Sequence, residues 1–148
     1  MSENTLFIAL ADDDEEDRLL FKKAMENLKV NTELSIFNNG QELMDHLNSP
    51  NNRLPELIFL DLNMPVKNGM ECLKEIRGDT VFSDISIAIY STSSSEQDID
   101  ETFINGANVY INKPNTFGKL KEAIAKVIEM NWQYHTSRLA KENFLLRI

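Results

Sequence analysis

The feature that most constrains this sequence is a short apolar run that ends in a carboxylate. Residues 57–60 are Leu, Ile, Phe and Leu, Asp61 follows directly, and Pro65 breaks extended pairing soon after. Such a run, bounded by a turn signal, is typical of a strand buried on both faces of a parallel sheet. Because open α/β sheets bind ligands at the carboxyl ends of their strands, Asp61 is either part of a functional site or a turn residue that caps the next helix.

Composition limits the classes of protein that need to be considered. The 148 residues fit one domain, and 42% hydrophobic with 26% charged residues is ordinary for a globular protein. The formal charge of −9 argues against direct binding to nucleic acid. The single cysteine, Cys72, excludes an internal disulfide and a CxxC motif and is expected to be a packing residue. No signal peptide or membrane span is visible, so we expect no membrane association and a cytoplasmic location.

Apolar strands alternate with helical patterns along the chain. We predict strands over 6–11, 33–37, 57–60, 85–90 and 109–111, each followed by a segment with apolar residues at helical spacing. This alternation leaves no room for hairpins and predicts a mostly parallel, doubly wound α/β sheet.

Two segments beside the predicted strands are interpreted as helix starts. The acids at 15–17 are assigned to a solvated first helical turn, where they suit the helix dipole. Ser93 with Glu96 fits a capping box that would begin the fourth helix.

The chain is divided into a domain over 1–131 and a C-terminal extension over 132–148. In the extension Ala140, Phe144 and Ile148 share one helical face, which predicts an added helix packed on the domain or on a second copy.

The ends of four predicted strands deliver polar side chains to one edge of the sheet. Asp12 and Asp13 follow the first strand, Asp61 the third, Ser91 the fourth and Lys113 the fifth. Three close carboxylates repel each other unless a cation lies among them, and an oxygen-only set selects a hard ion such as Mg²⁺. A lysine and a hydroxyl group suit phosphoryl oxygens, so the edge is predicted to receive a phosphoryl group on a carboxylate.

Asp61 is the best candidate for the nucleophile because it lies on the central strand of this set. Attack by a carboxylate on phosphorus needs positioning and charge neutralisation more than a base. His46 and His135 are remote from every strand end and are expected to be surface or packing residues.

These motifs together resemble the receiver domain of response regulators in bacterial two-component systems. The resemblance covers about residues 5–131 and includes the Lys113-Pro114 pair, Gly69 and the aromatic Tyr110. It implies the CheY-like, flavodoxin-like fold of five parallel strands in the order 2-1-3-4-5.

The resemblance also implies roles for individual residues. Asp61 would be the phospho-acceptor. Asp13, Asp61 and the backbone carbonyl of Asn63 would hold Mg²⁺ or Mn²⁺ directly, and Asp12 would act through water.

Two further residues would contact the phosphoryl group, and one would respond to it. Ser91 and Lys113 would contact the phosphoryl group. Tyr110 would turn inward as a switch, and this movement would remodel the surface formed by the fourth helix, fifth strand and fifth helix. Ser91 stands where threonine is commoner, and Thr92 stands where alanine or glycine is usual, so we expect slowed entry of small phosphodonors.

The implied function is that of a stand-alone response regulator, a signalling domain with at most self-phosphorylation and self-dephosphorylation activity. The expected partners are a sensor histidine kinase or phosphotransfer protein and an unidentified target protein, and homodimerisation is left open.

Three rival interpretations remain open at this point. A haloacid-dehalogenase-like phosphatase also uses an aspartate after a buried strand, but its second aspartate is replaced here by Asn63. Flavin binding would need glycines and hydroxyls after the first strand instead of acids. A receiver-like interaction module that is never phosphorylated would have no need for Asp13, Asp61 and Lys113 together.

Overall fold

The computed structural model describes residues 5–131 and 145–146, which form an alternating series of strands and helices. The elements in chain order are β1 (Leu6–Ala11), α1 (Glu15–Asn27), β2 (Thr32–Phe37), α2 (Gly40–Leu47), β3 (Leu57–Leu60), α3 (Gly69–Arg77), a 3-10 turn (Thr80–Phe82), β4 (Ser86–Ser91), α4 (Glu96–Ile104), β5 (Val109–Asn112), α5 (Phe117–Asn131) and β6 (Leu145–Leu146). Within the described ranges, no helix is long and apolar enough to cross a membrane.

All strand pairings in the sheet are parallel, and the strand order is β2-β1-β3-β4-β5-β6. The predicted order 2-1-3-4-5 is therefore confirmed for the first five strands. Because every strand runs in the same direction, the carboxyl ends of β1, β3, β4 and β5 meet at one edge of the sheet.

Helices cover both faces of the sheet, as the apolar strands β1 and β3 require. Ile8, Leu10 and Phe59 pack in one cluster with residues of α1 and α5. Ala9 and Leu60, which alternate with them, pack in the other cluster with residues of α2 and α3. The result is a three-layer α/β/α arrangement with β3 in its centre.

Polar side chains fix where the first four helices begin. Asp14, Asn39, Asn68 and Ser95 are the N-caps of α1 to α4, and each side chain accepts a hydrogen bond from the backbone N–H three residues later. These caps determine where the loops that leave the strands end.

The predicted capping box of α4 is wrong. The N-cap is Ser95, two residues later, and its hydroxyl accepts from the Asp98 N–H. The Ser93 hydroxyl instead donates to Asp98 Oδ2 at 2.6 Å. The run of consecutive serines offers several equivalent caps, and the end of β4 at Ser91 leaves Ser93 within the loop.

The C-terminal extension also differs from its prediction. Leu145 and Leu146 form β6, a strand paired in parallel with Tyr110 and Ile111 of β5, where a helix was expected. The helical prediction for 132–144, including Ala140 and Phe144, and for Ile148 lies outside the described residues. The prediction used only the helical spacing of three apolar residues. It did not consider that the outer edge of β5 has backbone groups with which a further strand can pair.

Gly69 holds α3 against the backbone that carries Asp61. Its N–H donates to the Leu62 carbonyl at 3.0 Å. A Cβ at this position would lie 2.2 Å from the Asp61 carbonyl oxygen and 2.7 Å from the Leu62 Cα. Both neighbours are backbone atoms, so any side chain here displaces either the helix or the segment after β3.

We predict that Gly69→Ala lowers the free energy of unfolding by about 2–3 kcal/mol, because backbone overpacking cannot be relieved by a rotamer change. Chemical denaturation followed by circular dichroism measures the change. Gly118→Ala, in α5, is the control: nothing lies within 4 Å of its added Cβ. The control should be neutral or more stable by about 0.5 kcal/mol, and an equal loss in both variants would contradict the assigned role of Gly69.

Candidate functional site

Three carboxylates from two neighbouring strands converge at the carboxyl edge of the sheet. Asp12, Asp13 and Asp61 each offer one oxygen, and these oxygens lie within 4.8 Å of one another. Asp12 is 0% and Asp61 5% exposed, whereas Asp13 is open to solvent. The cluster therefore combines two buried charges with one accessible charge.

The register of the sheet places the two buried carboxylates side by side. Ala11 pairs with Leu60, and the Asp61 N–H donates to the Ala11 carbonyl at 3.0 Å. One oxygen of each carboxylate is occupied locally: Asp12 Oδ1 accepts from the Asp14 N–H and Asp61 Oδ1 from the Asn63 N–H. The Oδ2 atoms of both residues face Lys113.

Lys113, which follows β5, brings an ammonium group to these Oδ2 atoms. Its Nζ lies 2.9 Å from Asp12 Oδ2, 3.4 Å from Asp61 Oδ2 and 2.8 Å from Asp17 Oδ2. The Lys113 side chain is only 9% exposed. One buried cation thus contacts three carboxylates.

The shifted pKa values indicate that the lysine does not fully neutralise the acids. Burial raises the pKa of Asp61 to about 6, and the charge of Asp12 adds to the effect, although Lys113 opposes it. Burial likewise raises the pKa of Asp12. Burial alone would lower the pKa of Lys113, but its hydrogen bonds to Asp17 and Asp12 outweigh burial and raise it. Burial therefore makes the charged forms of both acids costly, and the lysine does not remove that cost.

The donor set fits a small divalent cation. Asp12, Asp13 and Asp61 supply only carboxylate oxygens, and no histidine or cysteine belongs to this group of described residues. Hard oxygen ligands suit Mg²⁺ or Mn²⁺, and two positive charges would offset the repulsion that burial enforces.

Comparison with known proteins decides the family. The model of the response regulator receiver domain matches residues 8–125 of the chain. The chain belongs to the response regulator receiver domain family.

Relatives of this receiver domain are similar along most of their length. Response regulator Rcp1 of Synechocystis is 30% identical over 132 residues, which cover 84% of this chain and 87% of Rcp1. The structure of the phosphorylated cyanobacterial phytochrome response regulator RcpA superimposes with a TM-score of 0.78 at 34% identity, covering 90% of this chain and 97% of that one. A Mn²⁺-bound form of Rcp1 has a TM-score of 0.76 at 28% identity, covering 91% and 99%.

The remaining predicted site residues of the receiver domain lie around the loop between β4 and α4. Ser91 is the last residue of β4 and fully buried, and its hydroxyl accepts from the Ser93 N–H at 3.0 Å. Thr92 is exposed at the start of the loop. Tyr110 is fully buried, and its hydroxyl donates to the Ser93 carbonyl at 2.8 Å. The Tyr110 side chain is therefore packed in the core and tied to the loop that follows β4.

Asp17 is the residue of the site that sequence reasoning missed. It was assigned, with its neighbours, to a solvated helix start, which is wrong because its carboxylate contacts Lys113 at 2.8 Å. Asp17 lies in the first turn of α1, directly after the segment that carries Asp12 and Asp13. No signal in the local sequence separates it from its acidic neighbours, because its partner Lys113 is 96 residues away.

Cys72 and His46, which are predicted to take no part in the site, lie on α3 and α2, away from the carboxylates. Cys72 is on the buried face of α3, and burial raises the pKa of its thiol to about 12. His46 is half-buried with its ring 4.9 Å from that of Phe37. His135 lies outside the described residues.

We predict that Asp61→Asn stabilises the metal-free receiver domain at pH 7. A pKa that folding raises from 3.8 to about 6 means that the native state binds the proton more tightly than the unfolded state. Stability contributed by this group therefore falls as pH rises from about 4 to about 6, and the loss is complete above that window. Removing the charge should raise the free energy of unfolding at pH 7 by about 1–3 kcal/mol.

Urea denaturation in EDTA at several pH values checks this expectation. The gain should disappear near pH 4, and saturating Mg²⁺ should reduce it at pH 7. Asp84→Asn, which changes an exposed aspartate, is the control and should alter stability little at any of these pH values. An Asp61→Asn protein that is no more stable than the parent at pH 7 would show that the buried charge is already fully compensated.

Proposed function

We propose that the protein is a response regulator whose Asp61 accepts a phosphoryl group from a sensor histidine kinase or a phosphotransfer protein. The carboxylate bonds to phosphorus while the bond from phosphorus to the donor imidazole nitrogen breaks, and the imidazole leaves with that electron pair. The observation that carries the proposal is the position of Asp61, on the central strand with a buried carboxylate between two acids and a lysine.

Each neighbouring group has a defined part in the proposed reaction. Asp12, Asp13 and Asp61 would hold Mg²⁺ or Mn²⁺, with the Asn63 carbonyl as a further ligand, and the ion would supply charge neutralisation to the phosphoryl oxygens. Lys113 would donate to a phosphoryl oxygen on Asp61, because its ammonium already lies 3.4 Å from Asp61 Oδ2. No general base is needed because the nucleophile is already a carboxylate at neutral pH.

The contacts of Ser93 support a mechanism for passing the signal to the surface. Ser91 would turn its hydroxyl toward the phosphoryl group and so give up its hydrogen bond from the Ser93 N–H. The Ser93 carbonyl accepts from the Tyr110 hydroxyl, so a movement of Ser93 changes what holds Tyr110 in place. We propose that the surface of α4, β5 and α5 is remodelled in this way and controls an unidentified partner protein in the cytoplasm, without direct contact to DNA or membrane.

We expect the protein to gain one phosphoryl group when it is incubated with acetyl phosphate or a phosphorylated phosphotransfer protein in the presence of Mg²⁺. Intact-mass spectrometry and peptide mapping should place the adduct on Asp61, and Asp61→Asn or EDTA should abolish it. Asp45→Asn, on the exposed side of α2, is the matched control and should be phosphorylated like the parent. If the parent never forms the adduct with either donor, the domain acts as an interaction module instead.

Release of inorganic phosphate from a phosphate monoester, measured separately, tests the rival phosphatase. Family membership and Asn63 at the position of the phosphatase acid/base both disfavour a phosphatase. Hydrolysis of an ester with multiple turnovers that depends on Asp61 would nevertheless contradict the assignment as a signalling domain.

Thr92 is expected to restrict access of small phosphodonors to Asp61. Its exposed side chain follows Ser91 directly at the carboxyl edge of the sheet. We predict that Thr92→Ala increases the initial rate of phosphorylation by acetyl phosphate about threefold, which is about 0.6 kcal/mol in activation free energy. Ser94→Ala, in the same exposed loop, should leave the rate unchanged. Equal rates for Thr92→Ala and the parent would exclude Thr92 as a barrier.

A further inference from the structure

One of the two short contacts of Lys113 is with a carboxylate that does not belong to the candidate metal group. Asp17 Oδ2 lies 2.8 Å from Nζ, compared with 2.9 Å for Asp12 and 3.4 Å for Asp61. Asp17 is absent from the set of carboxylates that could share one ion, which is Asp12, Asp13 and Asp61. The site therefore contains three carboxylates that could share an ion and a fourth, Asp17, that contacts only the lysine among the charged groups of the site.

The backbone of Asp17 is fixed at the start of α1. It lies in the first turn of α1, and its N–H donates to the Asp14 side chain that caps the helix. Its own side chain is about one-third exposed, at 32%, whereas that of Lys113 is 9% exposed. Asp17 is thus the most exposed of the three carboxylates that contact the ammonium, and it binds the ammonium from the solvent side.

A divalent cation would change the balance among these contacts. Oxygens of Asp12 and Asp61 that face an ion attract Lys113 less, because the ion takes up their charge and repels the ammonium. Asp17, outside the group, keeps its full charge for the lysine. A lysine has a flexible four-carbon stem, so an anchor of this kind decides where its charge lies.

We infer that Asp17 is a positioning residue for Lys113: it holds the ammonium at the side of the pocket, so that a divalent cation can enter the three-carboxylate group and the lysine stays within reach of a phosphoryl oxygen on Asp61. Without the charge of Asp17, Lys113 would bind only Asp12 and Asp61, and it would compete with the cation for them more strongly. The second half of this inference rests on the proposed function, whereas the competition with the cation does not.

Binding of Mg²⁺ to the unphosphorylated protein tests the inference directly. Asp17→Asn should raise the dissociation constant for Mg²⁺, measured by isothermal titration calorimetry, by about fivefold, which is about 1 kcal/mol. Glu16→Gln is the matched control because it removes the same charge from an exposed position one residue away in the same helical turn. The control should change the constant by less than about twofold, since an exposed charge is screened.

A double-mutant cycle separates the contact from a general loss of negative charge. In a Lys113→Met background, Asp17→Asn should have no larger effect than Glu16→Gln, because no ammonium is left to position. Asp17→Glu, which keeps the charge, should recover part of the affinity. Circular dichroism and thermal unfolding of each variant establish that the fold is retained.

Two results would overturn the inference. One is an equal loss of Mg²⁺ affinity in Asp17→Asn and Glu16→Gln; the other is an undiminished effect of Asp17→Asn in the Lys113→Met background. Neither measurement involves phosphorylation, so a parent protein that binds Mg²⁺ as expected but takes up no phosphoryl group would contradict only the proposed function.

Discussion

The Lys113 ammonium contacts three of the four carboxylates described at the carboxyl edge of the sheet without balancing their charge, and the rest of the site depends on that imbalance. Two of the carboxylates, Asp12 and Asp61, are almost fully withdrawn from water, where an uncompensated charge is costly. Lys113 reduces the cost but does not remove it, as the raised pKa of Asp61 indicates. A domain with this arrangement gains by taking up positive charge, and that preference is the physical basis for the proposed use of a divalent cation.

The fold supplies the geometry that makes the imbalance unavoidable. Parallel strands place the ends of β1 and β3 side by side, and the close approach of Gly69 keeps the backbone after β3 in position. Apolar clusters on both faces of the sheet hold the strands with little freedom to separate the charges. The protein therefore uses the stability of its core to maintain a locally unfavourable site, a trade-off often seen where function needs buried charge.

The elements that could be predicted from the sequence are those with a strong and redundant signal. Buried parallel strands require continuous apolar runs, so β3 and the acid that follows it were evident, and the meeting of Asp12, Asp13, Asp61 and Lys113 followed from the common direction of the strands.

The features that were missed depend on three-dimensional neighbours. Acids in a first helical turn usually face solvent, so nothing in the local pattern distinguished Asp17 from Glu16 until Lys113 was placed beside it. The choice of Ser95 over Ser93 as a cap depends on where β4 ends, and a two-residue strand such as β6 is too short to leave a periodic pattern.

The pairing of β6 with β5 has a practical consequence for how the protein is produced and studied. A chain cut at residue 131, the apparent boundary of the domain, would lose Leu145 and Leu146 and leave the outer backbone groups of Tyr110 and Ile111 without their strand partner. Unprotected strand margins recruit other chains, so such a shortened protein would tend to self-associate for reasons unrelated to signalling. Oligomers of the truncated protein would then result from the exposed edge of β5 and would not represent the assembly of the full-length chain.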